Sequence, residues 1–114
     1  MALKLNEAAL AHAEQLIQQG RVDRESEWAA NEPTPESENE FLEENDKNYD
    51  AYGKWFLGIN PDASPNTKER YEFPYGDFKK IYRNGVIAAE RRAGQYHHKD
   101  IETAAKRLLD MIGA

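Results

Sequence analysis

Apolar residues recur at helical spacing along much of this chain, and this repeat predicts a fold built largely from helices. The clearest case is the segment 101–112. Its apolar residues follow the i, i+3, i+4, i+7 repeat of one buried helical face: Ile101, Ala104, Ala105, Leu108, Leu109 and Ile112. Asp100 precedes this repeat and Gly113 follows it, so we predict an N-cap and a C-terminal stop at these two residues.

Other segments also predict helices. One helix follows Asn6, a residue type that favours the N-cap position. A second covers about 46–57, where aromatic residues step three or four positions apart. Gly53 inside it indicates the close approach of a ring or of another backbone. A third covers about 85–94, and the acidic segment contains the start signals of a short helix over about 36–44.

Two short extended pieces flank the turn-forming sequence Tyr75-Gly76-Asp77. Pro74 lacks a backbone N–H, so any strand that contains it must lie at the edge of a sheet. We therefore predict a small β-hairpin near residues 71–83. Together with the helical patterns, this predicts a mainly α fold, a small domain of about four helices with one minor hairpin.

The 114 residues are enough for one domain with a modest core, and we predict a single domain over 1–114. The net charge of −6 is unevenly distributed, with −9 over residues 1–52 and +3 over residues 53–114. Acidic residues and prolines concentrate at about 23–44, which predicts a flexible segment, and Trp28 is its large apolar anchor.

Composition excludes several classes of protein. The chain has no cysteine, so it has neither disulfides nor a cysteine nucleophile. No apolar run approaches the roughly 18 residues that a membrane-spanning helix needs. Lys4 and Glu7 interrupt the apolar stretch that a signal peptide would require. These features predict a cytoplasmic protein without membrane association.

The segment Tyr71–His98 holds six of the twelve Phe, Tyr and Trp residues beside a cluster of Lys and Arg. Aromatic residues and arginine are enriched at protein interfaces, whereas rings near a turn also commonly pack into the core. We predict a non-enzymatic binding or accessory protein that docks a protein partner. The candidate binding residues are Tyr75, Phe78, Tyr82, Arg83, Arg91, Arg92 and Tyr96.

The same basic–aromatic patch at 78–96 also fits a second hypothesis, a nucleic-acid-associated protein. Bases stack on aromatic rings while Lys and Arg contact phosphates. The acidic isoelectric point of about 5.1 argues against this alternative, because dedicated nucleic-acid binders are usually basic.

Metal binding and catalysis find less support in the sequence. His97-His98-x-Asp100 offers possible ligands, but adjacent histidines on a loop do not readily bind one ion, and His12 is the one other histidine. The serines lack the strand–turn–helix context of a catalytic nucleophile, and no glycine-rich phosphate loop is present. We predict neither an enzyme nor a bound metal or cofactor.

Three motifs carry a family resemblance. The strings are YGKWFLG at Tyr52–Gly58, FPYGDF at Phe73–Phe78 and RAGQY at Arg92–Tyr96. Over roughly 45–112 the chain resembles a family of small uncharacterised bacterial proteins, some of them phage-associated. The resemblance implies a shared fold and brings no known activity. A histidine often stands in that family where this chain has Tyr82, so no metal or acid–base role carries over to this position.

Overall fold

Two small β-sheets and five α-helices make up the part of the chain that the structure, a computed structural model, describes, which is residues 3–113. The helices are α1 (Glu7–Gln18), α2 (Pro35–Glu44), α3 (Tyr49–Gly53), α4 (Arg83–Gln95) and α5 (Lys99–Ile112). The strands are β1 (Lys4–Leu5), β2 (Val22–Asp23), β3 (Phe56–Ile59), β4 (Tyr71–Pro74) and β5 (Ile81–Tyr82). The fold is therefore mixed α/β, and the prediction of a mainly α domain with a minor hairpin is wrong.

The sheets join distant parts of the sequence. The first is antiparallel with the order β1-β3-β4, and it pairs Lys4 with Ile59 and Phe56 with Pro74. The second is a parallel pair of β2 and β5. The predicted hairpin near 71–83 is thus replaced by two strands that belong to different sheets. The turn between them still closes locally, because Gly76 and Ile81 form an antiparallel bridge and Asp77 accepts hydrogen bonds from the backbone N–H groups of Lys79 and Lys80.

The helix predicted over 46–57 is also wrong in its second half. Helix α3 ends at Gly53, and β3 begins three residues later at Phe56. The Tyr71 ring lies where a side chain at Gly53 would stand. The Asn6 side chain donates to the carbonyl oxygens of Gly53 and Phe56 at 2.9 and 3.1 Å. These contacts satisfy carbonyls that a continuing helix would have bonded itself, and so they end α3.

The remaining helices lie close to their predicted positions, although several capping residues differ. Helix α2 begins with a capping box between Thr34 and Ser37. Asn84 lies inside α4, and its side chain donates to the Ser26 carbonyl at 2.9 Å. The N-cap of α5 is His98 and not the predicted Asp100. Asp100 accepts from the backbone N–H of Leu5 at 2.7 Å and thereby ties α5 to the start of the chain.

The core lies between the three-stranded sheet and helices α1, α4 and α5. Its largest fully buried side chains are Tyr52, Tyr75, Leu16, Leu57, Ile81, Ile101 and Leu108. Trp28 packs over Gly85 of α4, where a Cβ would come within 2.8 Å of the indole ring. The mobility predicted for 23–44 stays a prediction. Within residues 3–113, no helix is long and apolar enough to cross a membrane.

Candidate functional site

Two of the predicted binding residues lie in the core. Tyr75 has no exposed surface and Tyr82 is 2% exposed. The Tyr75 hydroxyl donates to the Lys54 carbonyl at 2.6 Å, and burial raises its pKa well above the ordinary value. The Tyr82 hydroxyl donates to the Asp77 carboxylate at 2.9 Å. Neither ring is placed to touch a partner, so their aromatic character serves the fold.

Phe78 and Arg83 are half-buried, and Phe78 lines a concavity of about 300 Å³ beside α2. The Phe78 ring stacks on Phe41 at 4.6 Å between centroids and contacts the ring of Tyr52 at 5.9 Å. Arg83 begins α4, and its Nε atom is buried without a hydrogen-bond partner in the described part of the chain. These two residues therefore border the core and do not extend the patch that the sequence predicts.

Basic residues of that patch line different concavities, and two of them belong to the turn at Asp77. The Asp77 carboxylate accepts from the backbone N–H groups of Lys79 and Lys80, each at 3.0 Å. Burial favours a higher pKa for this carboxyl, but the hydrogen bonds from Lys80, Tyr82 and Lys79 outweigh it and hold the pKa below its usual value. Lys79 and Lys80 line concavities beside α2 and β2, whereas Arg92 lines others.

Arg92 and Tyr96 are exposed and stand at the centre of a different surface. We call it the Arg92 surface, and it consists of Trp28, Phe73, Pro74, Ala88, Ala89, Arg92, Tyr96 and His98. The Arg92 guanidinium lies 5.8 Å from the centre of the Phe73 ring and 5.9 Å from that of Tyr96. At 57%, Tyr96 is the most exposed large hydrophobic side chain that the structure describes. An arginine between aromatic rings is a frequent centre of protein interfaces.

Three elements build this surface. Helix α4 contributes Ala88 and Arg92, which are one turn apart. Tyr96 directly follows the helix, and its backbone N–H donates to the Arg92 carbonyl at 3.1 Å. Strand β4 contributes Phe73, which has a left-handed backbone φ of 66° that bulky residues seldom adopt. Gly58 makes room for the Phe73 ring, because a Cβ there would lie 2.7 Å from it. The loop before α2 contributes Trp28.

Two concavities flank the Arg92–Phe73 contact. One has a volume of about 180 Å³ and is lined mainly by apolar groups of Trp28, Pro74 and Ala88. The other has a volume of about 210 Å³ and lies beside Leu3, Tyr96 and His98. The linings of the two concavities share Arg92 and Phe73, and we call the pair of concavities the groove.

The charge on this surface is unpaired. Across residues 3–113, the Arg92 guanidinium forms neither an ion pair nor a side-chain hydrogen bond. Glu32 lines the first of the two concavities and Glu72 lines the second, and neither forms an ion pair with Arg92. The surface therefore has the unpaired guanidinium of Arg92 between two mainly apolar concavities. One carboxylate residue lines each concavity, Glu32 the first and Glu72 the second.

Sequence reasoning missed Trp28, Phe73 and His98 as parts of this surface. His98 meets the Phe73 ring edge-on at 5.9 Å, although it lies 25 residues further along the chain. The sequence signal for Phe73 is its position directly before Pro74. The signal for Trp28 is that it is the one tryptophan of the acidic segment. Both signals indicate special positions, but neither reveals that the rings share one surface.

A further cleft, of about 290 Å³, lies beside Asp50, Lys54, Arg70 and Tyr71. Arg70 donates there to the Ala63 carbonyl at 2.7 Å, so this guanidinium already stabilises the 60–70 loop. Burial raises the pKa of the Tyr71 hydroxyl, which leaves it a neutral group near neutral pH. In the described chain, no group of three or more His, Asp or Glu side chains could hold a metal ion.

Comparison with protein families, with curated proteins and with solved structures found no match to this chain. The family resemblance carried by the three sequence motifs stays a prediction.

Proposed function

We propose that this protein is a non-enzymatic docking module that binds a protein partner through the Arg92 surface. The observation that carries the proposal is the exposed Arg92 guanidinium, which contacts two aromatic rings and has no ion pair. A partner acceptor would form a charge-assisted hydrogen bond with Arg92 without breaking an existing one. A cytoplasmic location, expected from the sequence, accompanies this proposal.

Nucleic-acid binding through the patch at 78–96 is the weaker candidate. Tyr75 and Tyr82 have almost no exposed ring face for a base to stack on, and the Phe78 ring already stacks on Phe41. Glu32 and Glu72 line the groove, and their carboxylates would repel a phosphate backbone. These features favour a protein partner over a nucleic acid.

The test compares matched arginine variants of α4. Immobilised wild-type protein and the variants Arg92→Ala, Tyr96→Ala and Arg91→Ala are each exposed to extract from the source cells after nuclease treatment. Arg91 is exposed on the same helix but lines neither concavity. Arg91→Ala therefore removes the same charge from a position outside the Arg92 surface. We expect one protein that wild type and Arg91→Ala retain and that Arg92→Ala and Tyr96→Ala lose.

Two results would contradict the proposal. Equal retention by Arg92→Ala and Arg91→Ala would show that the partner binds elsewhere or responds only to net charge. Retention from a parallel untreated extract that is absent from the nuclease-treated extract would show that a nucleic acid mediates the interaction. Equal melting temperatures of all four proteins are the control for folding, because the three substituted side chains are exposed.

A further inference from the structure

The first concavity of the Arg92 surface, of about 180 Å³, lies between two parts of the chain. Strand β4 and helix α4 contribute Phe73, Pro74, Ala88, Ala89 and Arg92. The segment 24–34, which we call the strap, contributes Trp28 and Glu32. The concavity therefore has its present shape only while the strap lies against α4.

The strap contributes no side chain to the hydrophobic core. From residue 24 to residue 41 no side chain is buried, and Leu42 is the first that is. In contrast, Phe73 of β4 and Ala89 of α4 are 5% and 4% exposed. Segments with few buried apolar contacts open at a lower free energy than the core does. The strap can therefore open while β4 and α4 stay folded.

Contacts with the first turn of α4 hold the strap closed. The Asn84 side chain donates to the Ser26 carbonyl at 2.9 Å. The Trp28 indole packs over Gly85, where a Cβ would come within 2.8 Å of the ring. Asn84 and Gly85 line neither concavity, so they are positioning residues, which act on the Arg92 surface by holding Trp28 in place.

We propose that closure of the strap completes the Arg92 surface, so that docking of a partner and closure of the strap are coupled. This inference rests on the proposed docking function and adds its regulation. A partner that contacts Trp28 in the concavity binds the closed form better than the open form, and its binding shifts the strap toward closure. The coupling is reciprocal, because opening of the strap lowers the apparent affinity by the fraction that stays closed.

Two matched alanine substitutions on α4 test this coupling. Gly85→Ala places a methyl group where the Trp28 indole packs, whereas Gly94→Ala meets the end of the Glu102 side chain. Hydrogen–deuterium exchange of peptides that cover 24–34 measures opening of the strap without any partner. We expect Gly85→Ala to accelerate this exchange at least about tenfold, because the closed position of the indole is blocked, and Gly94→Ala to change it less than about threefold.

The retention experiment, repeated with these two variants, measures the effect on docking. We expect Gly85→Ala to lose the protein whose retention depends on Arg92, and Gly94→Ala to keep it. After purification, that protein should slow the exchange over 24–34 when it is added to the wild type. Unchanged exchange over 101–112 in helix α5 is the control for folding.

A second variant covers the case in which Gly85→Ala unfolds the protein, since the new methyl group would also lie 3.0 Å from the Tyr75 carbonyl oxygen. Arg24→Ala combined with Asn84→Ala removes the hydrogen bonds to the carbonyls of Ile112 and Ser26 and leaves the packing at Gly85 intact. Retention by this double variant should fall in proportion to the fraction of closed strap that exchange measures.

The outcomes separate this inference from the proposed function. Faster exchange over 24–34 with undiminished retention of the Arg92-dependent protein would overturn the coupling and leave the docking function standing. Equal exchange in Gly85→Ala and Gly94→Ala would also overturn it, because the contact of Trp28 with α4 would not hold the strap. Absence of any protein whose retention depends on Arg92 would overturn the docking function itself, and the coupling with it.

Discussion

Nδ1 of His12 lies 2.9 Å from the hydroxyl oxygen of Tyr75, which is 63 residues further along the chain. Because the Tyr75 hydroxyl donates its proton to the Lys54 carbonyl, its oxygen accepts from the Nδ1–H of a neutral His12. The Trp55 ring meets the imidazole edge-on at 4.8 Å. This contact holds helix α1 against the loop after β4 through one titratable group.

The His12 contact predicts that stability falls in mild acid. Burial lowers the pKa of His12, and the positive charges of Lys54 and Arg21 act in the same direction, against a hydrogen bond to the Lys54 carbonyl that raises it. The unfolded chain therefore binds a proton at a higher pH than the folded chain does. Stability is complete above the unfolded pKa of about 6.5 and decreases as the pH falls from there toward the lower folded pKa.

Melting temperatures between pH 8 and pH 5.5 measure this effect. The wild type should lose more of its melting temperature over this range than His12→Asn, in which a neutral amide can still donate to Tyr75. Parallel pH profiles for the two proteins would show that His12 does not contribute to the pH dependence.

Gly53→Ala should destabilise the protein, whereas Gly94→Ala should not. A Cβ at Gly53 would overlap the buried Tyr71 ring, so Gly53→Ala should cost about 1–3 kcal/mol of unfolding free energy. A Cβ at Gly94 would meet the flexible end of Glu102 at 2.9 Å, which can move aside. Gly94→Ala should be neutral or stabilise α4 by up to about 1 kcal/mol. Urea unfolding of both variants compares these values, and equal costs would contradict the packing described for Tyr71.

Substitution of Tyr82 should cost much more stability than substitution of Tyr96, because Tyr82 is buried and Tyr96 is exposed. Tyr82→Ala removes a buried ring and should cost about 3–5 kcal/mol, whereas the milder Tyr82→Phe removes the hydroxyl that bonds Asp77 and should cost about 1–3 kcal/mol. Tyr96→Ala should stay within about 0.5 kcal/mol of the wild type. A large loss for Tyr96→Ala in denaturant unfolding would place that ring in the core.

Trp28 should protect the acidic segment from cleavage by a protease. Its indole packs over Gly85, and the Tyr82 ring lies 5.7 Å away. Trp28→Ala should release residues 24–34 and increase the rate of tryptic cleavage after Arg24, which otherwise donates to the Ile112 carbonyl. Mass spectrometry of the early fragments measures this rate, and an unchanged rate would show that the segment does not depend on Trp28.

The helices of this fold could largely be predicted from sequence because their apolar faces repeat locally. The repeat in α5 and the segment 85–94 within α4 required no knowledge of distant contacts. The strands could not be predicted in this way. Phe56 continues the aromatic spacing of α3, but the Asn6 and Tyr71 contacts that end this helix come from remote parts of the chain.

The candidate site shows the same division. Arg92 and Tyr96 could be named from composition, since exposed arginine and tyrosine favour interfaces. Tyr75 and Tyr82 belong to the same motif-rich segment, yet their rings are buried. The burial of these two rings depends on how β4 and β5 pair with strands of two separate sheets. That pairing cannot be predicted from the local sequence.

Site-specific photocrosslinking tests the central claim, that the Arg92 surface docks a protein, most directly. Benzoylphenylalanine is introduced in place of Tyr96 in the source cells, with exposed Lys106 on α5 as the control position. We predict one protein adduct from position 96 that is absent at position 106 and is lost when Arg92→Ala is combined with it. No adduct at position 96, an adduct with nucleic acid, or the same adduct from both positions would contradict the claim.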